Sequence, residues 1–144
     1  MKRARNKVSG GIHFVWTTLH RFPKITEDIE RDLYRYITKV CQDDGCTVLA
    51  LNGMPDHVHL LIALPLTTTI PKLMKDIKGG SSRFVAQELK NENWVGWQEH
   101  YGAFAVSSSH LRRICAYVEN QKLHHAKGDL LESAEEANEE YEID

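Results

Sequence analysis

Two histidines, His57 and His59, stand one residue apart in the apolar segment "MPDHVHLLI". If this segment is a β-strand, its side chains alternate between the two faces of a sheet, so both imidazoles point to the same side. They are then about 6.5 Å apart, because each residue of a strand advances about 3.3 Å. Two imidazoles at this spacing can bind one divalent ion. The structural alternative makes them hydrogen-bonded polar residues on a half-exposed face.

A second group of reactive side chains occurs near the C-terminus, where Arg113, Tyr117 and Gln121 are spaced by four. On a helix this spacing places a guanidinium, a phenol and an amide on one face, about one turn apart. A phenol has a pKa of about 10 and is a weak nucleophile at neutral pH unless a cation stabilises its phenolate. Gln121 could add a carbonyl oxygen to an ion bound by the histidine pair. The structural alternative is a tyrosine at the edge of the core beside a solvated arginine and a surface glutamine.

A ligand set of His57, His59 and Gln121 carries no charge. It would leave the positive charge of the ion available to offset a phosphodiester, which a carboxylate-rich site would partly cancel. Imidazole favours Mn, Zn or Ni over Mg, so the ligand types do not fix the metal. We expect a divalent metal ion, Mg or Mn, as the cofactor.

The first half of the chain predicts a strand, a helix and a hairpin. Residues 11–20, "GIHFVWTTLH", are rich in β-branched and aromatic residues, which indicates a strand. Apolar residues at helical spacing follow, from the candidate N-cap Thr26 to Gly45 just beyond the predicted end. Residues 46–52 and 57–64 predict two strands, and the turn-forming "GMPD" between them indicates a β-hairpin.

The second half predicts a helix, a strand and a final helix. Four apolar residues recur at helical spacing: Ile70, Leu73, Met74 and Ile77. The segment "KGGSSRF" is expected to interrupt this helix before helical spacing resumes in "RFVAQELK". "WVGWQEHYGAFAVS" is predicted to be a strand broken at Gly102. The last helix is expected to begin at a cluster of serines and to end at Gly128.

This order of elements, β-α-β-β-α-β-α, predicts an α+β fold of the ferredoxin-like (split βαβ) kind. An antiparallel sheet would pack against helices, with the helix of Tyr117 at the C-terminal end. We expect one domain over residues 1–128 and an acidic tail over residues 129–144. The tail holds eight acidic residues and no Lys or Arg. Subtracting them from 20 leaves 12 acidic residues against 18 basic ones in the domain, a moderately basic body that suits a polyanionic partner.

The apolar segments and the cysteines indicate where the protein works. The longest apolar run, residues 58–64, is too short to span a bilayer, and no signal-peptide pattern follows the basic start. The three cysteines form no CxxC pair, which favours reduced thiols. We therefore expect a cytoplasmic protein with no membrane association.

Several of these motifs together resemble a known family. "MPDHVHLLI" is similar to the His-hydrophobic-His signature of the HUH nucleases. "YVENQ" followed by "HH" resembles the nucleophile helix of the single-tyrosine transposases of the insertion-sequence-200 type. "IHFVWTTLHRF", "KGGSSRF" and "YGAFAVS" are similar to that family in the same order, and the resemblance covers about residues 10–126.

The resemblance implies a transposase, a dimeric enzyme that cuts and rejoins single-stranded DNA at hairpins marking the ends of an element. Tyr117 would attack the scissile phosphate as the catalytic residue, leaving a 5′-phosphotyrosine bond and a free 3′-hydroxyl. His57, His59 and Gln121 would hold the divalent ion. In the family the tyrosine helix can serve the partner's active site, so a homodimer is expected.

Basic side chains are expected to bind the DNA hairpin. The candidates are Lys72, Lys75, Lys78 and Arg83, with Arg112 and Arg113 near the cut. The alternative for the lysines is a solvated helix face. The three tryptophans are expected in the core rather than stacked on bases, and Asp56 is expected to close a turn rather than to orient a histidine.

Two other functions remain open at this point. A domesticated relative would bind or process hairpin DNA or RNA without mobilising an element. A metal-dependent hydrolase would use water as the nucleophile, but it needs a general base, and no HExxH motif or acidic cluster supplies one.

The acidic tail is expected to fold over the basic body when DNA is absent. Deleting residues 129–144 should therefore tighten binding of single-stranded DNA several-fold at about 50 mM salt, with a smaller gain at higher salt because screening weakens the contact. Fluorescence anisotropy with a labelled oligonucleotide measures the change. A full-length variant with the eight tail acids changed to amides is the control and should match the deletion, whereas unchanged affinity in both would reject self-masking.

Overall fold

Four strands form one antiparallel sheet in the computed structural model, which describes residues 7–123. The strands are Gly11–Thr17 (β1), Val48–Met54 (β2), His57–Ala63 (β3) and Gly102–Val106 (β4). Their order is β2-β3-β1-β4, so β1 and β3 lie side by side in the centre. The sheet and its helices confirm the predicted α+β class and element order. The predicted tail and the last residues of the predicted domain lie outside the described residues.

Within the described part of the chain, three α-helices flank the sheet. They span Glu27–Asp43 (α1), Ile70–Arg83 (α2) and Leu111–Glu119 (α3). The cap residues predicted for α1 are confirmed, because Thr26 is its N-cap residue and Gly45 follows its end with a positive φ of 79°. That φ lies in the left-handed region, which glycine adopts without a steric penalty.

The helices cover both faces of the sheet. Side chains of α1 and α2 form the main core with alternate residues of the central strands, such as Phe14, Trp16 and Leu60. The opposite face holds a smaller cluster in which Leu61 meets Tyr117 and Val118 of α3. Burying a large apolar side chain contributes about 1.5–3 kcal/mol, so the main core supplies most of the stability. The histidine pair of β3 lies on the face of the smaller cluster, because strand side chains alternate.

The predicted interruption of α2 at its glycine pair is wrong. The helix continues through Gly79 and Gly80 to Arg83, and a single π-helical turn, Phe84–Glu88, follows. Glycine disfavours a helix interior, but packing overrides this preference here. A Cβ on Gly80 would lie 2.7 Å from the hydroxyl of Tyr36, so the glycine lets α1 approach α2 closely.

The strand predicted over residues 94–107 is also shorter than expected. Only Gly102–Val106 forms regular strand, while Trp97 makes an isolated bridge to Thr18. The indole N–H groups of Trp94 and Trp97 instead donate to serine hydroxyls of α2, each at 2.9 Å. Side-chain packing against the helix therefore replaces the expected ladder. The expectation that the tryptophans serve the core agrees with these contacts and with the complete burial of Trp16.

The last helix begins later than predicted, and its predicted end at Gly128 lies outside the described residues. The serines form a 3₁₀ turn, Ser108–His110, and α3 ends at Glu119. Asn120 departs from helical geometry with φ −103° and ψ 23°, and residues 121–123 are helical again, so Gln121 follows a one-residue break. Within residues 7–123, no helix combines the length and the hydropathy needed to cross a membrane.

The two adjacent glycines of α2 offer a matched stability test. Gly79→Ala adds a methyl group with no atom within 4 Å, so it should raise the free energy of unfolding by about 0.5–1 kcal/mol through helix propensity. Gly80→Ala should leave the protein about 1–2 kcal/mol less stable than Gly79→Ala, because Tyr36 is held by stacking on Phe84 at 4.6 Å. Urea unfolding measures both, and equal stabilisation would contradict the close helix contact.

Candidate active site

The two histidines of β3 point to the same face of the sheet, as their spacing predicts. His57 is 1% exposed and His59 is fully buried. Their ring centroids are 5.0 Å apart, with the ring planes at 79°. Because β3 is paired on both sides, by β1 and β2, the strand fixes the direction of both imidazoles.

A carboxylate contacts the first histidine from the turn between β2 and β3. Nδ1 of His57 donates to Oδ1 of Asp56 at 2.7 Å, and Nε of Arg21 donates to the other oxygen at 3.3 Å. Burial raises the pKa of Asp56, but the hydrogen bond from His57, and then Arg21, lower it to about 2. The carboxylate is therefore ionised at neutral pH. Asp56 lies in the turn as expected, and it also orients His57, which was not expected.

Arg21 reaches the Asp56 carboxylate from an unusual backbone conformation. His20 and Arg21 both have positive φ, 53° and 57°, in the segment that follows β1. A non-glycine residue in this region costs about 1 kcal/mol or more, so local contacts must hold it. The backbone N–H of Thr18 donates to the carbonyl of Asp56 at 2.9 Å, which ties the segment to the turn.

A third histidine, which was not singled out in the sequence, contacts the second one. Nε2 of His13, on β1, lies 2.9 Å from Nδ1 of His59. The two rings stack with centroids 5.1 Å apart and planes at 28°. His13 is 2% exposed. The signal was present in the sequence, because His13 interrupts an apolar strand as the His57–His59 pair does.

Helix α3 brings Tyr117 and Gln121 to the same cluster. The Tyr117 ring stands edge-on to His59, with centroids 5.7 Å apart, and is 3% exposed. Oε1 of Gln121, which is fully buried, lies 3.3 Å from Nε2 of His57. The structure therefore brings together all four residues predicted for catalysis and metal binding.

The donor atoms of this cluster suit a divalent cation. With Nδ1–H of neutral His57 directed at Asp56, Nε2 presents a lone pair to the carbonyl oxygen of Gln121. A proton on Nε2, or a cation shared by the two atoms, makes this contact favourable. Neighbouring ligands about an ion with bonds of about 2.1 Å lie about 3.0–3.4 Å apart, close to the observed separation. Across residues 7–123 no group of three or more His, Cys, Asp or Glu is arranged to hold a metal, and the candidate set of His57, His59 and Gln121 contains only two such residues.

Polar contacts link the end of α3 to the β2–β3 hairpin. Nδ2 of Asn52 donates to the carbonyl of Glu119 at 2.9 Å, and Asn52 lies opposite His59 in the sheet. Nζ of Lys122 donates to Oδ1 of Asn52 at 2.9 Å and forms an ion pair with Glu30 of α1 at 2.8 Å. Residues flanking Gln121 are thus fixed to β2 and α1. Asn52 and Lys122 carry no motif that could have marked them in the sequence.

The basic side chains predicted to bind DNA divide between the two faces. Arg112 and Arg113 are exposed on α3, on the face of the histidines, whereas the other four belong to α2 across the sheet. Those four are Lys72, Lys75, Lys78 and Arg83. The Lys72 ammonium pairs with Asp76 at 2.7 Å, and that of Lys78 donates to three carbonyls, of Gln98, Glu99 and His100, at 2.6–3.1 Å. Lys75 and Arg83 line an open cavity of about 820 Å³ between α1 and α2, which also holds the carboxylates of Asp43, Asp44 and Asp76.

Comparison with known proteins identifies the family. Residues 6–121 match the family described as "Transposase IS200 like". The ISDra2 transposase TnpA of Deinococcus radiodurans is 32% identical over 114 residues, which cover 76% of this chain and 81% of that protein. The chain therefore belongs to the IS200-like transposase family, and it is a DNA-processing enzyme by descent.

Two solved structures are similar to this fold. One is the crystal structure of a candidate transposase from Deinococcus radiodurans R1, 32% identical, with a TM-score of 0.62 over 84% of this chain and 98% of that one. The other is a REP-associated tyrosine transposase bound to a REP hairpin, with a TM-score of 0.61 over 90% of this chain and 76% of that one. At 18% identity this second likeness supports the fold alone.

The tie between Asn52 and α3 can be tested without any substrate. Asn52→Ala removes the hydrogen bonds to Glu119 and from Lys122, each worth about 1 kcal/mol, so amides at the C-terminal end of α3 should exchange with solvent at least about fivefold faster. Hydrogen exchange with mass spectrometry measures this. Asn120→Ala is the control, because Nδ2 of Asn120 donates within the helix, to the carbonyl of Ala116 at 2.9 Å. The control should not loosen the contact with β2, and equal effects of the two variants would contradict the tie.

Proposed function

We propose that this transposase is a single-strand DNA endonuclease and strand transferase with Tyr117 as the nucleophile. The observation that carries the proposal is the contact of the Tyr117 ring with His59, in a buried cluster with His57 and Gln121. These residues come from two regions far apart in sequence, and the phenol supplies the cluster with a hydroxyl nucleophile. A phenol beside neutral nitrogen and oxygen ligands suits attack on a phosphodiester.

The reaction exchanges one phosphodiester for another. The phenolic oxygen of Tyr117 forms a bond to phosphorus, the bond from phosphorus to the 3′-oxygen breaks, and that oxygen takes up a proton as the phenol loses one. The product is a 5′-phosphotyrosine link and a free 3′-hydroxyl. Rejoining reverses these steps with a 3′-hydroxyl as the nucleophile, so no nucleoside triphosphate is consumed.

We infer that His57, His59 and Gln121 hold a divalent ion, Mg or Mn, beside the scissile phosphate. When bound, such an ion supplies Lewis-acid polarisation and offsets the phosphate charge. Asp56 keeps the Nδ1 proton of His57 in place, so Nε2 is the ligand atom of that ring. The side chain of Tyr117 is buried, so admitting DNA requires an outward shift of α3 or rotation of the phenol.

We propose single-stranded DNA with hairpins as the substrate. Support comes from the hairpin held by the REP-associated tyrosine transposase, whose fold is similar. Arg112 and Arg113 are the DNA contacts nearest the proposed cut, and the basic residues of α2 are proposed to contact a more distant part of the hairpin. Their contacts divide the α2 group, because Lys75 and Arg83 line an open surface while Lys72 and Lys78 are engaged by protein oxygens. We further propose a homodimer working in the cytoplasm, where its free cysteines stay reduced.

A covalent adduct is the direct test of this function. With a labelled single-stranded hairpin and Mn²⁺ or Mg²⁺, the full-length protein should form a DNA adduct that survives denaturing electrophoresis. Tyr117→Phe should reduce the adduct by about a thousandfold or more, because the nucleophile is gone, while hairpin affinity stays unchanged. Tyr101→Phe is the control and should form the adduct normally, since Tyr101 packs against the main core.

The same assay distinguishes the alternatives. His57→Ala should abolish the adduct and spare hairpin affinity. If Tyr117→Phe retains the adduct, another tyrosine is the nucleophile. If the parent protein binds the hairpin but forms no adduct with either metal, the chain is a hairpin-binding protein without cutting activity.

A further inference from the structure

His13 is the one histidine of the cluster to which the proposed function assigns no role. It lies on β1, and its Nε2 is 2.9 Å from Nδ1 of His59. In the register of the sheet, His13 is opposite Leu61 and His59 is opposite Val15, so the two histidines are diagonal neighbours on one face. Diagonal pairs are within reach of long side chains. Both rings are buried, so the contact is a fixed part of the structure.

One proton must lie between these two nitrogens, and the position of the ion decides which ring carries it. A neutral imidazole has one N–H donor and one nitrogen lone pair. If Nε2 of His59 binds an ion, Nδ1 of His59 must carry the proton and donate it. His13 must then accept through Nε2 and keep its own proton on Nδ1.

We propose that His13 is a positioning residue for the metal ion: it accepts the Nδ1 proton of His59, so that Nε2 of His59 faces the ion. This inference rests on the proposed function, because it needs His59 to be a metal ligand. His13 acts through His59 and contacts neither the ion nor the DNA. It corresponds in role to Asp56, which accepts the Nδ1 proton of His57 at 2.7 Å.

The two acceptors differ in charge, and the difference suits the reaction. Partners that fix the outer nitrogen of a ligating histidine also raise its basicity, and a carboxylate does so more strongly than a neutral group. A second carboxylate at position 13 would place another negative charge beside an ion that must attract a phosphodiester. A neutral histidine fixes the ring without that charge. Stacking of the rings at 28° also restricts rotation of His59, which keeps it edge-on to Tyr117.

Two substitutions of His13 by side chains of nearly equal length distinguish this positioning role from simple core filling. His13→Gln keeps a hydrogen-bond acceptor, whereas His13→Met has nearly the same length and volume but accepts only weakly. Binding of Mn²⁺ alone to the full-length protein is measured by electron paramagnetic resonance of the free ion. We expect His13→Met to weaken Mn²⁺ binding about 10- to 100-fold and His13→Gln to stay within about threefold of the parent.

Unfolding in the absence of metal provides the structural control. A residue that only filled space would change the stability of both variants without separating their Mn²⁺ affinities. Equal Mn²⁺ affinities for the Met and Gln variants would overturn the inference. If His13→Met does not fold, the Leu and Asn variants repeat the comparison at a shorter length, and the same outcomes decide.

Reference variants separate failure of this inference from failure of the proposed function. His57→Ala and His59→Ala should each abolish Mn²⁺ binding. If they do and His13→Met binds Mn²⁺ normally, only the role of His13 is wrong. If the parent protein binds no Mn²⁺, the metal site of the proposed function fails, and the inference fails with it.

Discussion

The alternation of side chains along β3 is the constraint on which the site depends. Val58, Leu60 and Ile62 enter the main core. His57 and His59 must therefore face the other way. Pairing with β1 and β2 on both sides prevents the strand from slipping, because a shift of one residue would place the histidines in the apolar core. The fixed direction of the two imidazoles is thus a by-product of core packing.

The cluster is assembled from elements held by different forces. The strands are fixed by the large apolar core, whereas α3 rests on a smaller cluster and on polar ties to Asn52 and Lys122. Hydrogen bonds of this kind contribute about 0.5–1.5 kcal/mol each, far less than the core as a whole. The two histidines on β3 are therefore the stable half of the candidate site, and the helix of Tyr117 is the half that can shift at low cost.

Much of the fold followed from periodicity and composition. The element order, the cap residues of α1 and the hairpin were predictable because each depends on local signals. The glycines of α2 and the tryptophan segment were not, since Gly80 serves a contact with Tyr36 and the indoles of Trp94 and Trp97 bond to serines of another element. Local propensity describes one segment at a time and cannot include such partners.

The candidate site shows the same division. His57 and His59 could be paired from their spacing, and Tyr117 with Gln121 from the helical repeat. His13 could not be joined to them, although the predicted fold class has β1 beside β3, because the diagonal contact depends on the strand register. Asn52 likewise acts through a backbone carbonyl, a partner that is invisible in residue types. The residues proposed to bind the reactants could be grouped from their types and spacing, whereas those that contact and orient other side chains could not.

The near-complete burial of the Tyr117 side chain has a consequence for the fate of a covalent intermediate. Water is the main competitor of a 3′-hydroxyl for a phosphotyrosine bond, and a site closed to solvent slows that competition. If the phenol returns to its sheltered position after each cut, an attached strand is stored rather than lost to hydrolysis. Burial of the proposed nucleophile would in this way favour rejoining over hydrolysis.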